Sequence, residues 1–287
     1  MNKIKSITTY VAGDQEGEKI LTVYEDRDQL GNIVLLKHFN EDGDLENKTD
    51  YEFDEKGRVI VEEQYSTGKS PDQVIRIEYN ESGKAHQVTL EFADGSVSYK
   101  KYSRDEAEKS TTIDIVDQDG EVEGKEFRRF DGEDRVLKEV IYSDSGEVET
   151  KAEFEYNDYG EITESVRVDE EGFETVRFYD YHRDDKARVY KVDTLNEDEK
   201  IIRTDEFEFD ERGNRAKHIM KDLESGSVFT DLREFDQNDN EVRFERMMGE
   251  RPIELIETKF TIDGLMEKQE MTKTEGPITY LFEYELY

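Results

Sequence analysis

YEFDEKGRVI, residues 51–60, contains the plan of the chain. Tyr51 and Phe53 sit two apart, so in an extended segment they share a side. Asp54 follows, and an aspartate at the first turn position accepts hydrogen bonds from the turn's own backbone. Gly57 comes three residues later, where a left-handed backbone conformation costs glycine little. Val59 and Val61 then resume the alternation. The segment reads as a strand, a type I turn closed by a left-handed glycine, and a return strand: the three-residue hairpin connection with a bulge.

The unit recurs. FNEDG (39–43), YNESG (79–83), YSDSG (142–146), YNDYG (156–160), VDEEG (168–172) and FDERG (209–213) repeat it. Weaker copies stand at FADG (92–95), VDQDG (116–120), FDGED (130–134), FDQND (235–239) and FTIDG (260–264). Anchors such as Phe53, Tyr79, Phe130, Tyr156, Phe209, Phe235 and Phe260 fall at multiples of about 26 residues, and a second set midway makes the elementary unit about 13. Between turns the period is two. In EVETKAEFEY (147–156), Val148, Thr150, Ala152, Phe154 and Tyr156 share one face and the charged residues take the other. DEAEKSTT (105–112) is the nearest approach to an amphipathic helix and is too short to be one.

The expected fold is all-β: a continuous antiparallel β-meander of about twenty short strands in one domain, residues 1–287. Laid flat, such a sheet would exceed about 90 Å, so it should wind into a curled sheet, a spiral, an open shell or a barrel-like wrap. Charges stand mid-strand on the apolar-facing rows, at Glu63, Lys138, Glu164 and Arg246. Cross-strand pairing would satisfy them, and so would a hydrated interior.

Composition agrees with a thin, surface-rich sheet. Only 33% of residues are hydrophobic and 40% are charged, yet 16 Tyr and 15 Phe separate the chain from disordered sequences. A net charge of −35 opposes binding to nucleic acid, whose recognition needs cations, and to anionic membranes. It suits a protein partner, a basic one in particular. The absence of cysteine removes disulfides, thiol catalysis and thiolate metal sites. Residues 1–13, MNKIKSITTYVAG, carry no apolar run of the secretory type, and a cytoplasmic location is expected.

The pattern Y-x-(Y/F)-(D/N)-x-x-G-x-hydrophobic, clearest in YEFDEKGRVI, FEYNDYGEI and FEFDERGNR, resembles the YD repeats of the Rhs and teneurin families. The resemblance implies hairpin repeats wound into a β-shell, and an association with a bacterial toxin or secretion system. The arginine- and leucine-rich repeats and the signature that precedes a toxin domain are missing here. What carries over is the architecture, as a binding or scaffolding surface.

Few residues point to chemistry. His38, His86, His182 and His218 are scattered over distant hairpins with no HExxH pair. No GxSxG, GxxxxGK[ST] or GxGxxG is present. Asp and Glu total 75, so no pair of carboxylates stands out as catalytic. NEDGD (40–44) and DQDGE (117–121) resemble pieces of calcium loops but lack their full spacing, and read as turns. YHRDD (181–185) has no glycine and reads as a drifted turn. The terminal stretch GPITYLFEYELY (276–287) presents Tyr280, Phe282, Tyr284 and Tyr287 on a strand that would be an edge. Such an edge could dock a partner or a second copy, or fold over the last opening as a cap. The functional expectation is a non-enzymatic protein-binding scaffold without cofactor. The alternatives are an acidic mimic that covers a basic site of a nucleic-acid-binding enzyme and, last, an enzyme acting on carbohydrate.

Overall fold

The computed structural model describes residues 3–13, 17–273 and 276–287. All of its regular structure among these residues is β. Contacts group the chain into two units. The first comprises Met1–Ser6, Val23–Val176 and Glu285–Tyr287, and the second Ile7–Thr22 and Arg177–Tyr284. The chain opens with β1 (Ile4–Ala12) and β2 (Lys19–Arg27), which contribute to both units.

Unit 1 then runs through β3 (Ile33–Phe39), β4 (Leu45–Phe53), β5 (Val59–Tyr65), β6 (Gln73–Tyr79), β7 (Ala85–Phe92) and β8 (Val97–Asp105). It continues through β9 (Ser110–Asp117), β10 (Val122–Phe130), β11 (Val136–Tyr142), β12 (Val148–Tyr156) and β13 (Ile162–Val168). The boundary falls within β14 (Glu174–Arg183). Unit 2 holds β15 (Val189–Leu195), β16 (Ile201–Phe209), β17 (Arg215–Asp222), β18 (Val228–Phe235), β19 (Glu241–Met248), β20 (Arg251–Phe260), β21 (Met266–Lys273) and most of β22 (Gly276–Leu286).

The expected meander is present, with 22 strands rather than about twenty. Its ends differ from the expectation. β1 pairs with β2 and also with β22, so pairing is cyclic and the sheet closes as a β-barrel instead of ending as an open spiral, shell or curled sheet. The reason is that closure gives both terminal strands a backbone partner and removes the exposed edges. In unit 1 the Tyr287 amide donates to the Lys3 carbonyl at 3.0 Å, and Lys5 pairs with Glu285 at 2.8 Å. In unit 2, Lys19 of β2 pairs with Glu283 of β22 at 2.7 Å.

The turn reading holds at atomic detail. Asp54 Oδ1 accepts from the amides of Lys56 and Arg58 at 2.9 and 3.0 Å, and the Gly57 amide donates to the Asp54 carbonyl. Gly57 has φ 75°, and the register shifts between Glu52 and Phe53 as the bulge requires. At YHRDD the turn does persist without glycine: Asp184 plays the role of Asp54, and Ala187 takes φ 60°.

The sheet has no dry centre. Among the described residues no side chain is less than 2% exposed. Val61, Val74, Ile113, Val116, Val140, Ala152 and Phe244 are the buried apolar ones. Mid-strand charges are met across strands: Lys138 pairs with Glu153 at 3.0 Å, and Arg246 with Asp231 at 2.7 Å. Glu63 accepts from the Tyr65 hydroxyl at 2.5 Å, a bond that pushes the Tyr65 pKa up to about 12.

Candidate functional site

The hairpin turns lie alternately at two rims of the sheet. The rim that includes 54–58 is stapled. Arg58 returns to its own turn and donates from Nε to Asp54 Oδ2 at 2.8 Å. Its guanidinium lies 4.1 Å from the ring centroid of Tyr79, the anchor of the following double unit. The Tyr79 hydroxyl in turn donates to the Val59 carbonyl at 2.8 Å. Asp131, Arg135, Tyr156 and Val136 repeat the whole arrangement, with the guanidinium 4.9 Å from the ring and the hydroxyl bond at 2.8 Å. In unit 2, Asp184, Arg188 and Phe209 repeat it without the hydroxyl. The physical repeat is thus the double unit, joined turn to turn along one rim.

The opposite rim of unit 1 consists of the turns at 40–44, 66–72, 93–96, 118–121, 143–147 and 169–173. Where the stapled rim has Arg58 and Arg135, this rim has Asp44, Glu121 and Glu147. Lys69 is the only cation in these six turns. The two turns that resemble calcium loops belong here. Their leading residues, Asn40 and Asp117, spend a side-chain oxygen on the turn's own amides. Among the described residues no group of three or more His, Asp or Glu side chains is placed to hold a metal ion.

Unit 2 contains a ladder of buried carboxylates that the sequence does not advertise. Asp193 on β15 is 4% exposed. It accepts from Lys191 Nζ at 2.6 Å and Thr204 Oγ1 at 2.7 Å, with His182 Nε2 at 3.1 Å. Asp205 on β16 is gripped by Arg203 at 2.7 and 2.8 Å and lies 2.7 Å from His218 Nε2. Asp231 on β18, also 4% exposed, receives both Arg246 Nε and Nη2, at 2.7 and 2.9 Å. His218 stands between these two carboxylates and stacks on Phe207 with centroids 4.7 Å apart.

Strand register sets this row, with Phe207 opposite His218, His218 opposite Asp231, and Asp231 opposite Arg246. Burial pushes the Asp205 and Asp231 carboxyls up, but the hydrogen bonds from Arg203, His218 and Arg246 outweigh it and hold both below the usual carboxylate range. Asp193 is held down in the same way by Lys191, Thr204 and His182. These groups bind one another. The ladder has the form of a structural tie, with its carboxylate lone pairs already occupied.

The aromatic residues singled out at the C-terminal end are placed differently from the expectation of an open edge. β22 is paired on both sides, by β21 and β1. Tyr280, Phe282 and Tyr284 are half-buried, and the Tyr284 hydroxyl donates to the Met266 carbonyl at 2.8 Å. Tyr287 is 50% exposed, and its hydroxyl donates to the Arg27 carbonyl.

No family model and no curated protein matches the chain. Among solved structures it is similar to the crystal structure of TcdB2-TccC3-Cdc42, at 12% identity and a TM-score of 0.35, over 95% of this chain and 19% of that one. It is also similar to porin-like proteins from Bacteroides uniformis ATCC 8492, at 11% identity over 98% of both chains with a TM-score of 0.33, and from Bacteroides vulgatus ATCC 8482, at 9% over 99% of both with a TM-score of 0.24. The chain thus spans about a fifth of the TcdB2-TccC3 chain. None of these reaches the similarity at which a shared activity follows.

Proposed function

We propose that the protein is a non-enzymatic β-repeat scaffold that binds a basic protein. The observation that carries this reading is the unbalanced rim of unit 1, where carboxylates replace the stapling arginines and Lys69 is the lone cation of six turns. At the stapled rim Arg58 and Arg135 are tied to their own turn aspartates; here the carboxylates face solvent and attract cations. The YD resemblance adds an association with a toxin or secretion system.

An aqueous compartment, with the cytoplasm as the proposed one, suits the strands. Arg128, Glu139 and Arg167 lie along one face of β10–β13, and Lys138, Lys151 and Glu153 along the other. A lipid-facing band excludes such charges at mid-strand.

The test is isolation of the full chain with its bound proteins at salt from about 0.05 to about 0.5 M. A basic partner retained at low salt and released progressively as salt rises is expected. Retention of neutral or acidic proteins alone would overturn the proposal. A second reading, an acidic mimic of nucleic acid, draws on the −35 charge. It predicts in addition that DNA or RNA displaces the chain from its partner, whereas a scaffold contact elsewhere on that partner would survive.

A further inference from the structure

The repeat supplies its own internal comparison. Two residues beyond the left-handed turn position the chain is apolar at most turns of both rims of unit 1, Thr111 and Glu174 being the exceptions. At the stapled rim these residues are Val59 and Val136, and both are half-buried. The Arg58–Tyr79 and Arg135–Tyr156 pairs supply a cation to the turn aspartate and a ring whose hydroxyl reaches the valine's own carbonyl. At the opposite rim Leu45, Val122 and Val148 are 39%, 51% and 53% exposed, while Val97 beside Ser96 is half-buried and Glu174 takes the position in the last turn. The arginine position there holds Asp44, Glu121 and Glu147. The apolar residue remains exposed, and its own turn does not supply the cation that Arg58 and Arg135 supply at the stapled rim.

We infer that this rim of unit 1 is a docking surface for a basic segment of another protein, one that brings apolar side chains together with its lysines or arginines. Such a segment supplies the turn cation that the stapled rim provides for itself, together with an apolar cover for the exposed residues. Two shallow clefts open beside the rim to receive its apolar groups. One of ≈ 430 Å³ is lined by Val122, Phe127, Tyr142 and Asp144, with Lys125 at its side paired to Asp114. The other, of ≈ 410 Å³, is lined by Val168, Asp169 and Phe173, the last 65% exposed, together with Arg167 and Lys151, the latter paired with Glu153.

Charge selects among occupants. Nucleic acid and anionic lipid are repelled by these turns. A second copy is disfavoured, because two such rims repel and Arg58 and Arg135 of the stapled rim are already paired with Asp54 and Asp131.

The inference rests on the proposed function and is tested apart from it. The probes are a synthetic peptide of alternating Lys and Leu and one of alternating Lys and Ser, titrated into the full chain by calorimetry at about 0.15 M salt. The Lys-Leu peptide should bind at least about tenfold more tightly than the Lys-Ser peptide. The double variant Val122→Ser/Val148→Ser should weaken it about tenfold, as should Glu121→Gln/Glu147→Gln. Leu30→Ser/Tyr159→Ser, at exposed positions of the stapled rim, should leave affinity within about twofold. All the substituted residues are solvent-facing, so melting temperatures serve as the folding control. If both rim variants bind the Lys-Leu peptide as the unaltered chain does, the rim assignment is wrong while basic-partner binding stands. If neither peptide binds the unaltered chain, both readings fall.

Discussion

At Arg135 one side chain does three things. It neutralises Asp131, it lies over the ring of Tyr156, and it thereby ties a turn to the next turn along the same rim. Tyr156→Phe removes only the hydroxyl bond to the Val136 carbonyl, and a loss of about 1 kcal/mol in urea unfolding is expected. Ala187 occupies the left-handed position that glycine holds elsewhere, at φ 60°. Ala187→Gly should therefore stabilise by about 1 kcal/mol, and Gly57→Ala should destabilise by at least as much, both read from the denaturant midpoint. The roles of Asp54 and Gly57 were legible in the sequence because both act within their own turn. The role of Arg58 was not, since its ring lies at Tyr79 and only the strand register brings the two together. The same holds for the rim. Asp44, Glu121 and Glu147 look like ordinary turn residues until they are set beside Arg58 and Arg135.

Among the elements, β15 to β19 hold the chain's concentrated electrostatics. Asp231→Ala leaves Arg246 and Arg233 without their shared carboxylate. The expected cost is about 2–3 kcal/mol, below the full penalty for a broken buried pair, because Arg246 is 39% exposed and water can reach it. Asp193, Asp205 and Asp231 all have folded-state pKa values below the ordinary aspartate value of about 3.9. Their contribution is present above that value and is lost as pH falls through the lower folded values. Thermal stability measured at falling pH should drop steeply below about pH 4, and Asp205→Asn should make that drop shallower. Alternation alone could not reveal this ladder. His218 and its two carboxylates lie on three different strands, and only the register sets them side by side. What the alternation did show was strand character and the charged mid-strand positions, of which Lys138 and Arg246 are answered by partners on adjacent strands.

For the molecule as a whole, the decisive pairing is that of β1 with β22. Removing 276–287 would leave β1 and β21 each with an unpaired edge, and light scattering should then report association of the truncated chain where the full chain shows none. The meander was readable because every hairpin repeats the same turn chemistry. Closure was not, because it depends on matches such as Lys5 with Glu285, which no local pattern connects. That separation also orders events in time. A ribosome delivers β1 long before β22, so hairpin after hairpin can zip onto its predecessor while the first strand waits without its second neighbour. Every other pairing is quick and local; the last one must search across nearly the length of the chain. The nascent protein is therefore most prone to aggregation in the interval before its final strand arrives, and its acidic turns repel other growing chains throughout that wait.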